Sequence, residues 1–147
     1  MDGALSKCVK ISHAVTVTAG AAGTTDISGT TLDMANWEGV LIDVTMGAIV
    51  SGAATSIKAQ QGDASDLSDA EDLEGTSQTI ADTDDEKAFY IDVYKPTKRY
   101  VRLYVDRGTQ NATCTAQYIQ YGPRTLPTSH GSNVSGETHV SPAEGTA

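Results

Sequence analysis

The chain has 147 residues, 39% of them hydrophobic, and a formal net charge of −9. That length suits one domain with a sizeable core, and the charge excludes nucleic-acid binding by the body as a whole, because phosphate repels such a field. No apolar run approaches the roughly 20 residues of a membrane-spanning helix, so no membrane partner is expected. One Trp and one Phe stand against six Tyr and fourteen Gly, which points to an aliphatic core built from β-branched strands and many turns.

Residues 1–7 read as an N-terminal arm. The chain start lacks the charged opening, apolar middle and small-residue cleavage site of a secretory signal, so nothing in it directs export. Residues 8–18 predict the first strand, with Val9, Ile11, His13, Val15 and Val17 on one side. A flexible turn at 19–23 precedes a weaker strand around Ile27. A loop or single helical turn at 33–36 then leads to Trp37. Residues 39–48 form the strongest apolar strand and are expected to be central, with Val40, Ile42, Val44 and Met46 facing one way. The turn at 50–54 returns the chain into residues 56–61 as the antiparallel partner of that strand.

Residues 62–86 interrupt the pattern. They hold ten of the nineteen acidic residues and no Lys or Arg, and are too long for a hairpin loop, so they predict an excursion over the surface anchored by Leu67, Leu73 and Ile80. A twelve-residue calcium loop starting at Asp63 would end suitably at Glu74. However, Leu67 occupies a ligand position and Ser68 replaces the sharp-turn glycine, so the EF-hand pattern fails. A solvated acidic loop is the preferred reading, with an irregular site from Asp66, Asp69 and Asp72 as the other.

Beyond the loop, Phe89, Ile91 and Val93 alternate with Tyr90, Asp92 and Tyr94, and Val101, Leu103 and Val105 alternate with Arg102, Tyr104 and Asp106. Pro96 cannot donate to a ladder, so the chain turns at 95–98, giving a sheet edge or a hairpin. Five of the ten basic residues fall here: Lys95, Lys98, Arg99, Arg102 and Arg107. The last strand is 113–122, ending at Pro123. Seven or eight strands at intervals of about 8–12 residues predict an all-β fold, an antiparallel β-sandwich or jelly-roll-like barrel spanning 8–123. Residues 124–147 are poor in apolar groups and read as an extended C-terminal tail, flexible or ordered by a partner.

No catalytic constellation survives inspection. His13 lies on an apolar strand face and reads as a core residue, while His130 and His139 lie in the tail without a scaffold to hold a base near a nucleophile. The nucleophile-elbow, zinc, Walker and dinucleotide patterns are all missing. Cys8 and Cys114 have no metal-ligand spacing. They read as small apolar thiols, or as one disulfide in an oxidising compartment. The acceptor sequences at Asn111 and Asn133 are chance matches in a chain without a signal. Neither a metal nor a cofactor is expected.

Three segments carry a resemblance. The first is Trp37-Glu38-Gly39-Val40, opening a strand that reaches Gly47. The second runs from Ile57-Lys58-Ala59-Gln60-Gln61-Gly62-Asp63-Ala64 into Ser68-Asp69-Ala70-Glu71-Asp72-Leu73-Glu74-Gly75. The third is Asp92-Val93-Tyr94-Lys95-Pro96-Thr97-Lys98-Arg99-Tyr100-Val101-Arg102. Together they resemble the small head decoration, or cement, proteins of tailed bacteriophages, over residues 37–123. The resemblance implies a non-enzymatic β-protein on the capsid exterior, made in the bacterial cytoplasm. It would be a homotrimer bridging capsomers of the major capsid protein. In that setting Lys95, Lys98, Arg99 and Arg102 meet acidic groups on the capsid or on a neighbouring subunit. The other reading is that they blunt a sheet edge against aggregation. A head–tail connector or tail protein, or a carbohydrate-binding module using Trp37, are the alternative functions.

Overall fold

Alternation of apolar and polar residues at period two is realised in ten strands, described here by a computed structural model of residues 3–146. They are β1 (Lys10–Val15), β2 (Ile27–Ser28), β3 (Leu32–Asp33), β4 (Gly39–Ile49), β5 (Thr55–Gly62), β6 (Glu71–Asp72), β7 (Gln78–Ile80), β8 (Ala88–Tyr94), β9 (Tyr100–Arg107) and β10 (Ala112–Tyr121). A four-stranded sheet has the order β1-β10-β4-β8. A second sheet has the order β2-β9-β5-β6, with β3 also on β9 and β7 also on β5. Every pairing is antiparallel.

Joining β2 to β3 and β6 to β7 as interrupted strands leaves eight. Their partnerships run first with last, second with seventh, third with sixth and fourth with fifth. A long antiparallel ribbon folded at its middle and rolled up produces this order, which is the jelly-roll form of a β-sandwich. The core lies between the sheets. Val40, Ile42, Val44 and Met46 of β4 meet Ile57 and Ala59 of β5 and Val101, Leu103 and Val105 of β9 there, all essentially inaccessible to solvent.

Three local expectations are corrected. Residues 50–54 do not close a hairpin, because β4 and β5 belong to different sheets. Residues 95–99 likewise form an arch, carrying the chain from β8, at the edge of one sheet, to β9, inside the other. Both kinds of connection follow the same alternating pattern, and only long-range pairing distinguishes them. In β1 the ladder slips between His13 and Val15, so Ala14 and Val15 are both buried while Ile11 and His13 face outward opposite Ile119 and Gln117. This bulge removes His13 from the core, and because β1 ends at Val15, Val17 falls in the turn that follows and is 77% exposed.

Two buried polar side chains tie the layers. Between β2 and β3 the register against β9 shifts by one residue, and the Tyr118 hydroxyl of β10 enters the gap. It accepts from the Leu103 backbone N–H at 2.9 Å and donates to the Thr30 carbonyl at 2.7 Å. Gly29 makes room for it, since a β-carbon there would come within 2.9 Å of that hydroxyl. Arg107 is buried, and donates to the carbonyls of Thr25, Ala21 and Ala112. It fastens the 19–26 loop and is closed to any partner.

The tail segment carries no strand among the described residues, yet it returns along the free edge of β1. Thr128 N–H donates to Lys7 O, His130 Nδ1 accepts from Ile11 N–H at 3.0 Å, and Gly131 N–H donates to Ile11 O. The edge is thereby paired rather than left open. Of the two arms read from the sequence, Met1, Asp2 and Ala147 lie outside the described residues.

Candidate partner-binding groove

The β8–β9 arch opens beside the chain that enters β4. Between them lies an open groove of about 630 Å³ lined by Met34, Trp37, Pro96, Lys98, Arg99 and Arg124, among others. Its shape follows from the sequence locally. Lys95 adopts φ +52°, a left-handed conformation uncommon for a residue with a β-carbon, and Pro96 then sets the corner. Such strain costs on the order of 1–3 kcal/mol and tends to gather at functional positions. Trp37 is partly buried against the core with its remaining surface in the groove, so packing and presentation coexist in one side chain.

Three of the four basic residues singled out from the sequence line this groove, and each faces a carboxylate of the same chain. Arg99 makes a two-pronged pair with Asp33, at 3.0 Å from Nε and 2.8 Å from Nη2. That guanidinium holds the Asp33 carboxyl below the usual carboxylate range. Lys95 lies 3.7 Å from Glu38 and 5.0 Å over the Tyr94 ring; the Tyr94 hydroxyl, then the Glu38 charge, push its ammonium up. Lys98 lies 3.7 Å from Glu71 of the acidic loop. These exposed pairs add little stability each, and an incoming carboxylate can compete for their cations.

Arg102 is elsewhere. Its Nε donates to Gln60 Oε1 at 2.8 Å on the outward face of the second sheet. The groove instead gains Arg124, the first residue of the segment expected to be a tail. Its backbone N–H donates to Asn36 O, and its guanidinium has no carboxylate within 4.0 Å among the described residues. The signal for it was modest: a cation directly after Pro123, where a strand ends beside the loop before Trp37. The lining contains no His, Cys or Ser. What it offers is ion pairing for anionic groups, next to an indole and a proline ring.

The acidic loop is committed internally. Asp69 accepts from the backbone N–H groups of Asp63 and Ala64, which hold its carboxyl below the usual range, and Asp66 accepts from Ser68 N–H. Asp72 takes the Lys58 ammonium and the Gln60 amide, Asp82 takes Gly52 N–H, and Asp85 takes Ile49 N–H. No group of three or more metal-ligating side chains converges among the described residues. Leu67 and Ile80 anchor the loop in the interior. Cys8 and Cys114 are both free thiols, the second buried.

Neither a family model nor a curated protein matches the chain. Among solved structures it is similar to the PBSX exported protein XepA, with a TM-score of 0.52 and 15% identity over 96% of this chain and 46% of that one. It is also similar to the SPBc2 prophage-derived protein YomS, with a TM-score of 0.47 and 13% identity over 76% of this chain and 92% of that one. Both neighbours are phage-derived proteins. The chain spans just under half the length of XepA, and at this identity the likeness is one of fold. No helix among the described residues is long and apolar enough to cross a membrane.

Proposed function

We propose that this chain is a non-enzymatic structural protein of a phage virion, a decoration protein that clips neighbouring capsomers on the outside of the head. The observation that carries the proposal is the groove. An acidic, soluble body presents one concave site where Lys98, Arg99 and Arg124 stand beside Trp37 and Pro96, which suits an acidic segment of a protein shell and no small-molecule reaction. The fold it shares with the phage-derived XepA, together with the three decoration-like segments, supports the same setting. The major capsid protein is the proposed partner, and a homotrimer the proposed form.

The energetics suit such a role. A protein that binds the assembled lattice better than free subunits stabilises the lattice by mass action. Several copies joined in one oligomer multiply weak individual contacts through effective concentration. A net charge of −9 keeps the body soluble at high local density and away from packaged nucleic acid.

The experiment mixes purified protein with expanded and unexpanded capsids of the phage that encodes it. Sedimentation should recover it with expanded heads at hundreds of copies per particle. Arg124→Glu combined with Lys98→Glu should weaken binding by roughly 10-fold or more and flatten its salt dependence. Recovery with neither kind of capsid overturns the decoration role, and about six or twelve copies per particle would indicate a connector instead.

A further inference from the structure

The free edge of β1 is closed by substitutes for a strand. Val9 O accepts from the Thr128 hydroxyl, Ile11 N–H donates to His130 Nδ1 at 3.0 Å, and Ile11 O accepts from Gly131 N–H at 2.9 Å. Two of these three partners are side-chain atoms, where a paired strand would supply its backbone. Further along, Thr138 Oγ1 lies 2.6 Å from Ser6 Oγ. Little apolar burial supports the contacts, since Leu126 is 62% and Val140 94% exposed. Closure also has a cost. A β-carbon on Gly131 would stand 3.3 Å from that of Ser12, and the Ser12 hydroxyl is buried with no hydrogen-bond partner among the described residues. The tail is therefore held by a few polar contacts with a thin margin.

The contact at Ile11 depends on the state of one ring. A neutral imidazole accepts at one nitrogen and donates from the other, whereas an imidazolium donates from both. With Ile11 N–H directed at Nδ1, the ring proton belongs on Nε2, and a second proton would set two N–H groups head to head. Closure and protonation therefore exclude one another, over the range of about pH 5 to 8 in which histidine side chains change charge. The charged groups around the ring come from three segments. Lys7 of the turn at Leu5–Lys7 and Glu137 of the tail line, with His130, a cavity of about 450 Å³. Lys10 of β1 borders Thr128 and Ser129. The other neighbour of β1, β10, carries no acidic or basic residue. Glu137 Oε2 lies 2.9 Å from His139 Nε2. Protonating His139 tightens that pair, so it does not release the tail.

We infer that residues 128–138 are a proton-released strap: neutral His130 latches them on the edge of β1, and protonation of His130 frees that edge. The strap is closed above the pH at which the ring takes up its proton and open below it. Release leaves Val9 O, Ile11 N–H and Ile11 O unpaired, the condition in which an edge strand pairs with another chain. The inference does not depend on what the groove binds.

The test follows amide hydrogen exchange of the full chain by NMR at about pH 8 and about pH 5, each rate being referred to that of an unstructured chain at the same pH. Protection at Ile11 and Gly131 should fall by about 10-fold in acid, as the loss of one hydrogen bond requires, while that at Ile42 in the core stays unchanged. His130→Asn places Oδ1 where Nδ1 stands, an acceptor that does not titrate, and should keep both amides protected at either pH. His130→Phe should leave them unprotected at either pH. His139→Asn should respond to acid as the unmodified chain does. The inference is overturned if protection at Ile11 and Gly131 is the same at the two pH values in the unmodified chain. It is equally overturned if His130→Asn is unprotected in acid, which would assign the response to another group, or if His130→Phe is as protected as the unmodified chain at about pH 8.

Discussion

Removing one oxygen atom tests how the two sheets are joined. Tyr118→Phe keeps a ring of nearly the same volume in a fully buried position but deletes the hydroxyl that bridges Leu103 N–H and Thr30 O. The Leu103 donor lies in the interior, and with its partner gone it carries the desolvation penalty of an unpaired buried group, about 1–3 kcal/mol. The Thr30 carbonyl is only partly buried and can recruit water, so its loss is closer to about 0.5–1 kcal/mol. The sum predicts a destabilisation of about 1.5–4 kcal/mol, or a Tm lowered by roughly 4–15 °C for a domain of this size. Urea unfolding followed by far-ultraviolet circular dichroism and by Trp37 fluorescence would measure it, with an unchanged m-value showing that the unfolded state is the same. A loss below about 0.5 kcal/mol would refute the reasoning, because it would mean that the shifted register between β2 and β3 closes without the phenol.

Three further outcomes are expected. Gly39→Ala should displace the Tyr121 ring and cost about 1–3 kcal/mol, read as a lower urea midpoint together with loss of the Tyr121–Asp92 hydrogen bond; a neutral effect would show that the ring has room to move. Acid should unfold the protein through its hydrogen-bonded aspartates. Asp26 is held below the usual carboxylate range, first by the Arg107 backbone N–H and then by the Tyr104 hydroxyl, and Asp33 is held down by Arg99. A depressed native pKa means that the unfolded chain takes up the proton first. Stability should therefore be level above about pH 5 and fall as the pH drops below about 4, with a shallower fall in Asp26→Asn; a flat profile to pH 2 would contradict this. Finally, Ellman's reagent should modify Cys8 quickly in the native protein and Cys114 only on unfolding, since burial pushes the Cys114 thiol up and shields it. Rapid reaction of two thiols, or of none, would show that the thiol environments differ from those described.

The groove shows how far sequence reasoning reaches a site of this type. Lys95, Lys98 and Arg99 were recognisable because a cationic run in an acidic chain is conspicuous, and Pro96 marked the turn that presents them. Arg102 has the same side chain in the same run but points out of a strand in the other sheet, toward Gln60. Arg107, five residues further along and on the opposite face of β9, is buried and bound to carbonyls. Arg124 carried only the weak signal of a cation directly after Pro123, because nothing nearby in the sequence reports that the end of β10 lies beside Asn36 and Trp37. The carboxylate partners Asp33, Glu38 and Glu71 were hidden for the same reason, being 66, 57 and 27 positions from Arg99, Lys95 and Lys98 respectively.

Alternation of side chains is a local property of extended backbone, so the longer strands, the inward-facing residues of β4, β8 and β9, and the all-β character were legible from the sequence, whereas the short β3, β6 and β7 lie in segments that read as loops. Those predictions required nothing beyond the direction in which successive β-carbons point. The assignment of strands to sheets is a property of contacts between distant segments. Packing between distant segments makes residues 50–54 and 95–99 cross between layers, turns His13 outward at a bulge, and pairs three cations of an apparent basic patch with carboxylates brought from elsewhere in the chain.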